Sequence, residues 1–190
     1  MLTLDSSREF LHSKMQSVNL RRHCYAVSIV MGALSVRLGH ADQKEQWEIA
    51  GMLHDADYEI TKNDPGQHTH MVLDWLKEFS IEADIHDAIL AHGWGYVPGN
   101  PEPKNQIEWA LYCCDELTGL IVAVALVKPD KKLSSVSVES VLSKWKQKSF
   151  AGGVDRKQIE MCEEKLGIEL REFIEIALTA MQQIAPELGL

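Results

Sequence analysis

A histidine and an aspartate stand side by side at the end of an apolar stretch, in Leu53-His54-Asp55. The residues that precede this pair are mostly apolar, which predicts that both side chains emerge from the protein core. An unpaired buried charge costs several kcal/mol, so Asp55 needs a cation or a hydrogen-bond network. Imidazole and carboxylate groups are both metal ligands. The pair is therefore a candidate metal site, and the alternative is a histidine at a helix C-terminus beside a solvated aspartate.

Helical periodicity places further groups of this kind on otherwise apolar faces. The inward set contains four histidines and two aspartates: His23, His54, Asp55, His68, His92 and Asp115. One buried histidine is commonly only a core residue, but six such groups spread over several helices indicate a metal centre. Imidazole and carboxylate without thiolate suit Mn, Fe, Co, Ni or Zn, whereas Mg favours oxygen ligands alone. By the same periodicity His68 faces the site, while His70 lies on the wetter side of its helix.

The elements that must position these groups are helices almost throughout. The pattern predicts helices at about 6–16, 19–38, 42–54, 67–79, 82–92, 107–127, 138–148, 156–166 and 170–185. Expected N-terminal caps, chosen by residue type, are Ser6, Asn19, Asp42 and Asp155. The segment Ile107–Val127 is apolar on all sides, which is typical of a central buried helix. A loop at 93–105 is long for a compact domain, so it is either functional or loosely held.

The sequence thus predicts an all-α fold, with one compact multi-helix domain over residues 1–190. A metal-binding core would cover about 20–127, and a C-terminal helical extension would cover about 134–190. This length suffices for one domain with a sizeable core.

Composition and charge exclude several function classes. The net charge of −9 provides no basic excess for long nucleic acid or an anionic membrane surface. The N-terminus does not resemble a signal peptide, and the most apolar stretch, Leu117–Val127, is shorter than the roughly 20 residues of a spanning helix. The four cysteines show no CxxC spacing, which favours free thiols in a reducing cytoplasm.

The order of the inward residues resembles the HD-domain superfamily of metal-dependent phosphohydrolases, in particular its HDIG-like predicted hydrolases of uncharacterised function. The resembling segments are Arg22-His23-Cys24, Leu53-His54-Asp55, Gln67-His68, Ala91-His92-Gly93 and Cys114-Asp115-Glu116. The resemblance extends over about 20–127. The tail resembles the same predicted hydrolases, and its segment Lys144–Phe150 carries no chemistry that we can assign.

The resemblance implies an all-helical enzyme with one or two divalent ions: Mn, Fe, Co, Ni, Zn or Mg. One ion would be held by His23, His54, Asp55 and Asp115. Asp55 would bridge to a second ion, held also by His68 and His92. Two carboxylates carry a formal charge of about −2, so two divalent ions would leave a positive pocket that attracts phosphate. The implied reaction is hydrolysis of a small phosphorylated compound by metal-activated water, and the expected compound is a nucleotide.

The candidate catalytic residues are His54, Asp55 and Asp57, and the general acid is Asp57, Glu59 or neither of them. Many members of the superfamily carry Gly-Lys, or a glutamate three residues on, after the His-Asp pair, and this chain departs from both patterns. Cationic side chains that could hold phosphate, or simply be solvated surface charges, are Lys62, Lys128, Lys148 and Arg156. Two other functions are compatible with the same ligand types: a di-iron oxygenase, and a signalling domain without turnover.

Overall fold

The computed structural model describes residues 2–147 and 149–190, and within these residues it contains helices and no strands. The helices are α1 (Leu4–Lys14), α2 (Val18–Arg37), α3 (Lys44–Leu53), α4 (Tyr58–Thr61), α5 (His70–Leu76), α6 (Ala83–Ala91), α7 (Gln106–Leu126), α8 (Val138–Trp145), α9 (Arg156–Leu166), α10 (Leu170–Gln183) and α11 (Ala185–Leu188). Short 3-10 turns occupy Ala41–Gln43, Pro65–Gln67 and Leu133–Ser135. The all-α prediction is confirmed, and the helices form a compact domain.

Several helices start at caps other than those the sequence suggested. Thr3 caps α1 in a reciprocal capping box with Ser6, and Ser17 rather than Asn19 caps α2. The helix α3 follows a 3-10 turn and has no side-chain cap, so Asp42 does not cap it. Serine, threonine and asparagine are similarly good caps, so residue type does not select among neighbouring candidates. At α9 the prediction holds, because the Asp155 carboxylate accepts hydrogen bonds from two amides of the first turn.

Helix α7 runs through the centre of the fold and packs against α2, α6 and α9. By length and composition α7 could cross a membrane. The prediction that the most apolar stretch is too short to span one is therefore wrong. However, 67% of its most apolar window is buried inside the domain, so core packing accounts for its composition. Asp115 lies in the middle of this helix and is therefore carried into the interior.

The two helices that pack most extensively are α2 and α3. Gly51 allows this approach, because a Cβ at that position would lie 2.8 Å from the Cα of Ser28. The Ser28 hydroxyl donates a hydrogen bond to the Glu48 carbonyl across the same contact, at 2.7 Å. The close contact brings His54, three residues after Gly51, up to the face of α2 that carries His23.

The loop at 93–105 is anchored at its middle. The Asn100 side-chain amide donates to the Leu90 carbonyl at 2.6 Å and to the Thr69 hydroxyl at 2.9 Å. Val97 is buried, and its amide donates to the Gly93 carbonyl at 2.8 Å. The loop is thus held against the start of α5 and the end of α6, and it places the Tyr96 ring against His68.

Candidate metal centre

Six polar side chains meet where α2 and α7 pass the C-terminal ends of α3 and α6. They are His23 on α2, His54 at the C-cap of α3, Asp55 after it, His68 before α5, His92 at the C-cap of α6, and Asp115 on α7. His54 and His92 are completely buried, and His68 is nearly so. The structure therefore brings together all six residues that the sequence nominated as ligands.

One group of potential ligand atoms surrounds the Oδ1 oxygen of Asp55. This oxygen lies 3.4 Å from His68 Nε2 and 3.5 Å from His92 Nε2. The two nitrogens are 3.2 Å from each other. Atoms that each lie about 2.0–2.2 Å from one ion are separated by about 3–3.5 Å. The triangle therefore has the dimensions of a three-ligand metal site.

A second group lies on the other side of the Asp55 carboxylate. His23 Nε2 is 2.9 Å from Asp115 Oδ1 and 3.7 Å from Asp55 Oδ2. His54 Nε2 is 3.5 Å from the same Asp115 oxygen and 3.7 Å from Asp55 Oδ1. Asp55 Oδ1 thus faces His54 as well as His68 and His92, while its Oδ2 faces His23. The carboxylate therefore contacts both groups, as one that bridges two ions would.

Hydrogen bonds at Nδ1 fix the tautomers of the two C-cap histidines. His54 Nδ1 lies 2.8 Å from the Gly51 carbonyl oxygen, and His92 Nδ1 lies 2.6 Å from the Ile89 carbonyl oxygen. A carbonyl oxygen only accepts, so each Nδ1 must carry the hydrogen and donate it. In the neutral ring, Nε2 is then left with a lone pair directed into the cluster.

The other two histidines follow the same scheme. His68 Nδ1–H donates to the Asp57 carboxylate at 2.7 Å. The Thr118 hydroxyl donates to the Asp115 carbonyl at 2.9 Å, so its oxygen accepts from His23 Nδ1–H at 3.3 Å. All four imidazoles are thus oriented from behind, as ligand histidines are by the groups that surround a metal site.

The arrangement of Nε2 atoms fits a bound cation. The lone pairs of His68 and His92 face each other across 3.2 Å, which is unfavourable unless a positive charge lies between them. His54 Nε2 is buried and has no hydrogen-bond partner among the residues that the structure describes. An acceptor left unsatisfied in the core costs free energy. Two divalent ions, one bound by His54 and the other by His68 and His92, would satisfy all three nitrogens.

The electrostatics of the cluster also favour a cation. Burial opposes charge on Asp55, but the neighbouring His54, His92 and His23 hold its pKa well below the usual range. Burial likewise favours neutral His23, but the hydrogen bond to Asp115 and the nearby carboxylate charges raise its pKa to about 9. A metal that binds His23 must therefore displace its proton, so metal affinity should increase as the pH rises.

Asp57 lies behind His68 and does not reach the cavity over the cluster. Its Oδ1 accepts from His68 Nδ1–H, and its Oδ2 accepts from the Val72 amide at 3.0 Å. The side chain is completely buried and both oxygens are occupied. The placement gives no support to the predicted general-acid role, and it makes Asp57 an orienting group for His68. Glu59, the other candidate, accepts from the Gln16 and Ser17 amides at the surface.

We expect Asp57→Asn to weaken divalent-metal binding by about 10- to 100-fold, as loss of such an orienting carboxylate typically does. The amide cannot accept from both His68 and Val72, so the ring loses its fixed orientation. Isothermal titration with Mn²⁺ measures the effect. Asp74→Asn, at an exposed carboxylate on α5, is the matched control, and equal affinities for the two variants would contradict the orienting role.

His68 reaches the cluster from a turn rather than from a helix. Helix α5 begins at His70, three residues later than predicted, and Thr69 before it has a φ of 68°. This backbone conformation is strained for a β-branched residue, and burial of Thr69 with its bond from Asn100 holds it in place. His68 faces the site and His70 is exposed, as predicted. Helical phase is not the reason, because His68 precedes the first residue of α5.

A cavity of about 400 Å³ opens over the cluster. The Tyr96 ring stacks on His68 with centroids 5.9 Å apart, and Tyr58 meets the same ring edge-on at 5.5 Å. Burial and the nearby carboxylates raise the pKa of both phenols, so their hydroxyls stay protonated. Lys62 lines the same cavity and adds a positive charge.

Glu116 is a residue of the cavity that the sequence analysis did not select. It lies next to Asp115 on α7, and burial followed by the charge of Asp115 raises its pKa to about 7. Its Oε2 accepts from the Asp155 amide at 3.1 Å, which fixes its direction. A second acidic residue next to Asp115, on a helix that is mostly apolar, is the signal that could have identified it.

The cationic residues proposed for phosphate binding separate into different positions. Lys62 alone of the four lines the cavity over the cluster, within the described part of the chain. The Arg156 guanidinium donates to the carbonyls of Trp145 and Phe150, at 3.1 and 2.6 Å, and so it organises the loop before α9. Lys148 lies outside the described residues.

Comparison with known proteins does not add a family assignment. No protein-family model matches the chain, and no curated protein is significantly similar to it in sequence. The functional interpretation therefore depends on the geometry of the cluster: a buried set of histidines and aspartates that could hold a metal.

Proposed function

We propose that this chain is a metal-dependent phosphohydrolase that acts on a small phosphorylated compound, most simply a nucleotide. The observation that carries the proposal is the convergence of four imidazole Nε2 atoms and two aspartates at the floor of an open cavity. The resemblance to the HD-domain superfamily, which rests on the order of the same six residues, supports it.

The charges around the cavity favour an anionic substrate. Two carboxylates would be outweighed by two divalent ions, and Lys62 adds a further positive charge on the wall. A divalent ion in this position supplies Lewis acidity and lowers the pKa of water from about 15.7 toward about 7. The overall charge of −9 disfavours long nucleic acid, so the substrate is small.

The remaining residues of the cavity have complementary roles in this proposal. Lys62 and the protonated hydroxyls of Tyr58 and Tyr96 donate to phosphoryl oxygens. Glu116 is the glutamate on the cavity wall, so it replaces Asp57 as the group placed to protonate the leaving oxygen. Its hydrogen bond from the Asp155 amide keeps it in position during turnover.

The proposal includes a cytoplasmic location. The four thiols are buried and none is paired within the described residues, which suits a reducing compartment. The thiols do not line the cavity, so they have no part in the proposed reaction.

The test is phosphate release from nucleotides, phosphomonoesters and phosphodiesters, each with Mn, Co, Ni, Fe and Mg. We expect turnover that requires metal and stops with chelator. His68→Ala should lower the rate strongly if two ions act and moderately if one suffices, because His68 belongs to only one ligand group. His70→Ala, at the exposed neighbour, should leave the rate unchanged.

Protein that is shown by elemental analysis to hold metal, yet turns over none of these compounds, would exclude the hydrolase function. Oxygen consumption by the iron-loaded protein would then identify the di-iron oxygenase instead.

A further inference from the structure

A second cavity, of about 390 Å³, adjoins the one over the metal cluster. The two cavities share His23 and Gly119 as lining residues, and we call the surface of α7 at Gly119, where they adjoin, the passage. The second cavity is otherwise lined by Asn19, Arg22, Val122, Leu126, Leu188, Gly189 and Leu190. None of these residues takes part in the metal cluster, so their role is separate from holding an ion.

Protein packing does not explain the glycine at position 119. Glycine in the interior of a helix is destabilising relative to alanine. A Cβ at Gly119 would have no described heavy atom within 4 Å, whereas a Cβ at Gly51 would meet the backbone of α2. Gly51 is thus required by helix contact, while at Gly119 no side chain covers the surface of α7 between the cavities.

Arg22 supplies a cation to the second cavity. Its guanidinium lies against Gly189, where a Cβ would overlap it, and Gly189 has a φ of 73° that suits glycine. Within the described residues no carboxylate pairs with Arg22 and its side chain donates to no hydrogen-bond acceptor. Its neighbour Arg21, by contrast, donates to the Met15 carbonyl at 2.6 Å and to that of His12 at 3.1 Å. Arg22 is therefore held in place by packing, with its donors available to a ligand.

The chemistry of the second cavity defines what would fit it. Val122, Leu126 and Leu188 form apolar walls, and Asn19 and Arg22 supply the polar groups. A planar or apolar body would pack on the walls, and an anionic group at its far end would pair with the guanidinium. Phosphate and carboxylate share this chemistry.

We propose that the second cavity binds the leaving-group part of the substrate, and that Arg22 selects leaving groups that carry their own anionic group. The inference rests on the proposed function, because the reacting phosphoryl group lies at the metal cluster. The substrate crosses α7 at Gly119, and its far anion pairs with Arg22. Its class is a phosphate ester of an organic alcohol with a second phosphate or carboxylate.

The test compares three probes on metal-loaded protein: phenyl phosphate, a nucleoside 3′,5′-bisphosphate, and a carboxyphenyl phosphate. Calorimetric binding and kcat/KM are both measured. Wild type should prefer at least one doubly anionic probe, and Arg22→Gln should reduce that preference about 10- to 100-fold, as loss of a charge-assisted hydrogen bond does. Gly119→Leu should also reduce the preference by blocking the passage, and phenyl phosphate should bind Arg22→Gln as it binds wild type.

Two matched controls accompany these variants. Gly119→Ala adds little bulk and should keep most of the preference, and Arg37→Gln removes an exposed arginine at the other end of α2 and should keep all of it. Melting curves establish that each variant is folded.

Wild type that prefers no doubly anionic probe would overturn the proposal, and so would an equal loss for all three probes in Arg22→Gln. Binding without turnover would instead contradict the hydrolase function and leave the anion preference intact.

Discussion

Asp55→Asn is expected to reduce metal-dependent phosphate release by roughly a thousandfold or more, because the ion and the water it activates are lost together. The residue lies between the two ligand groups, with one oxygen 3.4 Å from His68 Nε2 and the other 3.7 Å from His23 Nε2. The neutral amide would face the same imidazoles with half its acceptor capacity and no charge. Phosphate release at saturating substrate, together with metal content, measures the effect.

The matched control is Asp74→Asn, which makes the same chemical change at an exposed carboxylate on α5. Its rate and metal content should equal those of wild type. An Asp55→Asn protein that is folded, fully loaded with metal and still active at the wild-type rate would refute the bridging role.

Metal should also stabilise the fold by a large amount. An ion that binds only the folded chain adds about 4 kcal/mol at a thousandfold excess over its dissociation constant. For a chain of this size that corresponds to a rise in Tm of roughly 10 °C. The physical source is the buried His54 Nε2, which has no partner among the described residues, and the facing lone pairs of His68 and His92.

Thermal melts with and without Mn²⁺, on protein stripped by chelator and checked by elemental analysis, test this stabilisation. In Asp55→Asn the shift on adding metal should largely disappear. A stripped wild-type protein that melts at the same temperature with and without Mn²⁺ would contradict it.

The helical fold was predictable because apolar periodicity is strong in nearly every segment. The limits of a helix were predictable where its capping residues are unambiguous. In α9, Asp155 at the start and Gly167 at the end fix both limits. Starts near Thr3 and Ser17 were missed because adjacent residues are equally good caps, and only tertiary contacts choose between them.

The convergence of the six histidines and aspartates was also predictable, since an isolated polar group on an apolar helix face needs a compensating interaction. The role of Asp57 was not, because the turn after α3 points it to the far side of His68. Glu116 was missed for a related reason. Its direction depends on the Asp155 amide, which lies 39 residues away in the chain.

The C-cap histidines have a consequence for how the molecule opens. His54 and His92 each donate Nδ1–H to a carbonyl three residues back, in the last turn of α3 and of α6. These carbonyls would otherwise be unpaired at the helix end, where the negative end of each helix dipole lies. A ring whose Nε2 held an ion would be unable to turn away, so with the centre occupied neither helix would fray from its C-terminus. Local unfolding of these two elements, which are far apart in sequence, would then be one cooperative event.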